Sequence, residues 1–198
     1  MLKMSDENSK KFSAETGDYS SIFQAEQINV DSLNVYNLNQ NSFEYLKLVK
    51  QYEKEKNKGD ETSETILKLM EYKRKISGEL KNLSTKLENS GFKYLIKDAE
   101  RYKHIYAMQL HEHSALKSTQ KIHALLLSKV ETQFNTFVKL KLHENAEKQN
   151  VLLEISDKVI KEIESIIGTN NVLDLDSRHI HGMVYYLTGN CFLNWEVN

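Results

Sequence analysis

The residues of this chain that could do chemistry are its seven histidines, one cysteine and the carboxylates beside them. His111-Glu112-His113 offers two imidazoles around a carboxylate, ligand types that suit a zinc ion. On a helix, residues two apart point about 200° away from each other, so this pair cannot grip one ion. His104 and His111 share a helix face but are seven apart. The two-histidine zinc helix uses a spacing of four, with a Glu between as general base. These histidines therefore read as polar interface or core-edge residues, and no metal or other cofactor is expected.

A second set lies near the end of the chain. His179 and His181 follow Arg178 and crowd beside Asp174 and Asp176, with Cys191 beyond. A thiolate nucleophile needs a basic imidazole nearby, and both types are present. No glycine-rich oxyanion segment accompanies them, and Cys191 stands in an apolar stretch. If Ser177 caps a helix, the two histidines diverge. The set reads as a buried thiol beside a capped helix. An all-helical ribonuclease with Arg followed by His at four to six residues would suit the fold class, yet Arg101 is followed by His104 and His111, and Arg74 by none close. There is no P-loop and no dinucleotide fingerprint. No catalytic residue is assigned, and the chain is expected not to be an enzyme.

Composition explains why so little chemistry is visible. Of 198 residues, 39% are hydrophobic and 28% charged, with mean hydropathy -0.58 and no proline. That is a lean core with much surface per residue, and no Pro to break long helices. Net charge is -1, so bulk electrostatics make no case for nucleic acid. Arg, the bidentate phosphate fork, occurs only at Arg74, Arg101 and Arg178. A lone cysteine forms no internal disulfide. The first fifteen residues lack the apolar core of a signal peptide, and no apolar run approaches the length of a membrane span. The expectation is a cytoplasmic protein with no membrane contact.

The elements that must position these residues divide the chain into four. Residues 1–16 are polar and read as a mobile arm. Residues 17–40 read as a β-strand assembly segment, because Ile28/Val30 and Leu33/Val35 alternate with polar residues. The phase slips at Asp31-Ser32, as at a tight turn. Two such strands are not stable alone and need a sheet edge to join, which points to a partner chain. Residues 41–172 read as a long-helix region. Asn41 and Ser42 cap a helix through Phe43, Leu46, Val49 and Tyr52 that fades over 54–58. A coiled-coil stripe follows at Ile66, Leu69, Met70, Ile76, Leu80, Leu83 and Leu87. Asn89-Ser90-Gly91 can end it. Phe92 opens the longest helix, with no glycine or proline to end it before a bend at 141–148. A further helix carries Val151, Leu152, Ile155, Val159, Ile163, Ile166 and Ile167 and closes at Gly168. The period is 3.6 throughout. Residues 173–198 read as a C-terminal aromatic subdomain, with a helix from Arg178 to about Leu187 and a terminal strand, 191–197, carrying the only Trp. The fold class is thus mainly α: a long antiparallel helical hairpin or bundle, a short N-terminal strand pair and a small helix-plus-strand subdomain.

Two segments are similar to a known family. Gly17-Asp18-Tyr19-Ser20-Ser21-Ile22-Phe23-Gln24-Ala25-Glu26-Gln27-Ile28-Asn29-Val30 resembles an N-terminal motif of bacterial conflict-system proteins, in which a Gly-Asp-x-Ser-like turn leads into an Ile-Gln-Ala-x-x-Ile-x-Val strand. The stretch from Ile180 to Cys191 is similar to the closing segment of accessory, C-terminal-type subunits in three-component anti-phage systems built around an ABC-type ATPase. On this resemblance the usual N-terminal effector domain is expected to be missing, its place taken by the helical middle. The resemblance implies an adaptor subunit of a bacterial defence complex, partnered by a larger subunit such as the ATPase.

The residues and the resemblance together yield one leading expectation and one alternative. The first is a non-enzymatic assembly subunit, homo-oligomeric or docked on a larger protein. Its contacts would be Ile22, Phe23, Ile28, Val30, Leu33 and Val35 at one end and Tyr185, Tyr186, Phe192 and Trp195 at the other. The alternative is a nucleic-acid accessory using Lys47, Lys54, Lys68, Lys75 and Lys81 along a helix face, with affinity falling steeply with salt.

Overall fold

The computed structural model describes residues 40–196, apart from 60, 63, 75–81 and 145. The arm at 1–16 and the strand pair within 19–36 lie outside the described residues. Among the described residues there are nine α-helices and no strand.

Helix α1 (Gln40–Lys58) runs on through the polar 54–58 segment, where Lys and Glu are good helix formers. The expected coiled-coil stripe is broken instead into α2 (Leu67–Lys73) and α3 (Leu83–Asn89). The backbone turns extended at Arg74, and a new helix starts where the Asn82 side chain accepts a 2.8 Å bond from Thr85 N.

The long helix expected from Phe92 is likewise two. A 3-10 turn (Lys93–Leu95) leads into α4 (Ile96–Glu112). A second such turn (His113–Ala115) and an extended Leu116 then reverse the chain into α5 (Lys117–Gln133). No Gly or Pro marks this corner because side chains hold it. The Thr119 hydroxyl, with one proton to give, lies within hydrogen-bond reach of the His113 and Leu116 carbonyls, and the Gln120 amide donates to the Ser114 carbonyl at 2.7 Å. Helix α5 is central, with Ile122–Leu127 all buried and packing against α1, α2, α8 and α9.

The uniform 3.6 period also needs correction. A π turn (Phe134–Val138) joins α5 to α6 (Lys139–His143), and another (Ile155–Ile160) joins α7 (Lys148–Glu154) to α8 (Lys161–Ile167). The cause is written in the core residues. Leu126, Val130, Phe134, Val138 and Leu142 are buried at unbroken steps of four, and so are Val151, Ile155, Val159, Ile163 and Ile167. Each such step on an ideal α-helix drifts by about 40°. A wider turn in mid-run brings the stripe back to one face. The two π turns pack against each other.

Gly168, at φ +51, ends α8. Helix α9 (Ser177–Gly189) starts at a capping box: Asp176 accepts from the Arg178 and His179 backbone N–H groups, and His179 Nδ1 accepts from Asp176 N. It then crosses α4 closely at Gly182, where an added Cβ would lie 2.6 Å from Tyr106 Cβ.

The expected terminal strand is absent. Cys191 adopts φ +68, and the N–H groups of Cys191 and Phe192 bond the carbonyls of Thr188 (3.2 Å) and Leu187 (2.9 Å). Those donors end α9 in a Schellman motif and do not enter a ladder. The tail then folds inward, and Trp195 enters the core, its ring 5.2 Å from Phe92 and 5.5 Å from Phe134. Trp195 Nε1 donates to Thr188 Oγ1 at 2.9 Å, and the buried Lys86 ammonium donates to Thr188 O at 2.7 Å. The tail is therefore part of the main core and does not form a subdomain.

Candidate functional site

The aromatic residues expected to meet a partner are divided by burial. Tyr185 and Trp195 lie inside this chain's own core, with Trp195 only 1% exposed. Tyr186 and Phe192 are half-buried, against Tyr106 (5.5 Å) and Tyr72 (5.0 Å). Burial pushes the Tyr185 hydroxyl up to about 12. The reason is volume: one large indole with a satisfied N–H fills the space between Phe92, Phe134 and α9 at a gain of a few kcal/mol. Ile22, Phe23, Ile28, Val30, Leu33 and Val35 lie outside the described residues, as do Lys75 and Lys81. Lys47 and Lys54 are exposed along one side of α1, and Lys68 is exposed on α2.

The histidine sets are also separated. His104 and His111 are exposed on the outer face of α4, while His113 turns inward at the corner. No group of three or more His, Cys, Asp or Glu placed to hold a metal occurs among the described residues. His179 serves the capping box, and the His181 ring nitrogen Nδ1 meets the Ser177 carbonyl at 2.7 Å. The Arg178 guanidinium, followed by the His179 backbone N–H, holds the Asp176 carboxyl down to about 2 although burial opposes this.

The polar chemistry of the interior is structural and concentrated at the α4–α5 corner. Burial pushes the Glu55 carboxyl on α1 up, but bonds from Ser118 Oγ (2.7 Å) and Ser118 N (2.9 Å) outweigh it and bring its pKa below the usual value. Glu55 thereby caps α5 from another helix, in place of the apolar Leu116 at the cap position. Gln120, 1% exposed, accepts from Ile66 N (2.7 Å) and donates to Glu64 O (2.9 Å), latching the strap before α2 to the corner. Tyr45 ties α1 to the turn after α8 by donating to Asn170 O at 2.8 Å.

Large apolar side chains remain outward at Phe43, Leu67, Tyr94 and Met108, and three more lie on the segment through α6 and α7. Phe137, Leu140 and Leu153 are 37%, 57% and 52% exposed. Helix α6 packs against α7, and Lys158 Nζ lies over the Phe137 ring at 5.6 Å. None of the three belongs to the buried steps of four, so large apolar residues off a regular stripe were a signal available in the sequence.

No helix among the described residues is long and apolar enough to cross a membrane. No curated protein and no solved structure matches the chain. Residues 82–195, from the cap of α3 to the buried Trp195, match the family model for C-terminal domain 9 of the ABC-three component (ABC-3C) systems. The match takes in more than half of the sequence, and the chain belongs to that family.

Proposed function

We propose that this chain is a non-enzymatic adaptor of a bacterial, anti-phage ABC-three component complex, and that the α6–α7 hairpin is where it docks a larger subunit. One observation carries the reading: Phe137, Leu140 and Leu153 expose apolar surface on one segment of the family domain, in which Tyr94 and Met108 are the other exposed large apolar side chains among the described residues. Exposed apolar residues grouped on neighbouring elements mark an interaction face, whereas isolated ones are ordinary surface. The partner is the ABC-type ATPase of the same system, meeting the hairpin with an apolar patch. Homo-oligomerisation belongs to the same reading.

The test is co-purification of the full chain with the ATPase encoded beside it. The wild type is expected to be retained. A Phe137→Ser, Leu140→Ser, Leu153→Ser variant with an unchanged circular-dichroism melt is expected to be released. Retention of the variant would move the docking site elsewhere, and no retention of the wild type would remove the adaptor reading.

A further inference from the structure

Ser118, Thr119, Gln120 and His123 are all buried in the first turns of α5. The first three have their bonds within the protein, but His123 does not. Its Nδ1 stands 3.2 Å from the Tyr106 hydroxyl, and its Nε2 has no partner among the described residues although the side chain is fully buried. A buried polar atom left without a bond is costly, and such atoms in native proteins are rare.

The bonding pattern fixes which proton is stranded. The Tyr106 hydroxyl has no other acceptor among the described residues, and burial holds its pKa well above the ordinary value, so it keeps its proton. Donating that proton to His123 Nδ1 satisfies both groups. The opposite arrangement would strand the tyrosine proton as well as Nε2. His123 is therefore the Nε2–H tautomer and needs an acceptor. Burial, before the nearby charges of His113, Lys73 and His179, pushes its pKa down to about 3, so it is neutral.

The acceptor is close. His113, half-buried at the corner, has its ring 6.4 Å from that of His123. Its Nδ1 lies 3.1 Å from the Gln109 carbonyl, which can only accept, so Nδ1 carries a proton and the ring's lone pair is the one at Nε2. Rings with centroids 6.4 Å apart keep their nitrogens beyond a direct hydrogen bond, and a buried water, which needs two to four polar partners, can span such a gap.

We propose that one ordered water is bound between His123 Nε2 and His113 Nε2, making a polar thread from Tyr106 in the core through both imidazoles to the surface. This site is independent of the docking face.

Long-range proton–nitrogen NMR on the full chain, with histidine labelled, tests it. His123 is expected as the Nε2–H tautomer with a cross-peak from that proton to water. His113→Phe is expected to lose the water cross-peak and keep the tautomer. His113→Gln, which restores an acceptor and guards against misfolding of the phenylalanine variant, is expected to keep both. An Nδ1–H tautomer, no water contact in the wild type, or a water contact that survives His113→Phe in a folded protein would each overturn the proposal.

Discussion

Gly91 and Cys191 occupy the same position in two copies of one helix-ending motif. At the end of α3, Gly91 N bonds Glu88 O (2.9 Å) and Phe92 N bonds Leu87 O (2.7 Å). At the end of α9, Cys191 N bonds Thr188 O (3.2 Å) and Phe192 N bonds Leu187 O (2.9 Å). Both residues are left-handed, at φ +80 and +68, and each is followed by a phenylalanine that packs inward. A side chain in this conformation costs roughly 1–2 kcal/mol, a cost glycine avoids. Cys191→Gly is therefore expected to stabilise the protein by about 1 kcal/mol, and Cys191→Val to destabilise it by at least as much. Denaturant midpoints check both. A midpoint for Cys191→Gly below the wild type would rule out the strain argument.

Acid should act on this core through His123. Its folded pKa is depressed to about 3, against about 6.5 in an unfolded chain. The unfolded state therefore binds the proton first, and stability is lost as pH falls from about 6.5 towards 3, by up to about 1.4 kcal/mol per pH unit. Above about 6.5 the residue contributes no pH dependence. His123→Leu removes the linkage, so its stability should change less than the wild type's between about pH 6.5 and 5, above most carboxylate titration. Equal slopes in urea titrations across that range would refute the assignment.

The folding unit extends beyond the family match. Helices α1 and α2 lie outside residues 82–195, yet Glu55 caps α5 and Gln120 bonds both Ile66 N and Glu64 O. Gln120→Leu strands these groups and the Ser114 carbonyl, at an expected cost of about 2–3 kcal/mol. A fragment of residues 82–198 is expected to melt without cooperativity, and one of 40–198 to melt like the full chain. Cooperative melting of the shorter fragment would show α1 and α2 to be dispensable.

At the α4–α9 crossing the limit is space. Gly182→Ala puts a methyl group against the Tyr102 carbonyl and 2.6 Å from Tyr106 Cβ, neither of which is a flexible side-chain end. Overpacking of this kind costs typically 1–3 kcal/mol. The melting temperature should drop by several degrees. Gly59→Ala, with nothing within 4 Å of the added Cβ but φ +69, should lose only the smaller cost of its backbone. Equal losses at the two positions would mean that the crossing can relax.

The sequence alone carried the helical character, because apolar residues at helical spacing, no proline and abundant Lys and Glu allow little else over 40–167. It also marked the stops at Gly91 and Gly168, since these depend on local backbone chemistry, while the cap read at Ser177 falls one residue earlier, at Asp176. The closing Ile180–Cys191 segment was enough to suggest the family to which residues 82–195 belong. What it could not decide were features set by residues distant in the chain. The α4–α5 corner is held by side-chain bonds and a carboxylate from α1, not by a breaker. The period near Phe134 and Ile155 widens because two stripes of fours must face each other. Trp195, read as outward bait in a terminal strand, is buried because Cys191 turns the chain back and Phe92, Phe134 and α9 leave a space of its size. Local propensity fixes elements, while burial and the pairing of every polar group are properties of the assembled bundle, where Phe137, Leu140 and Leu153 are left facing out.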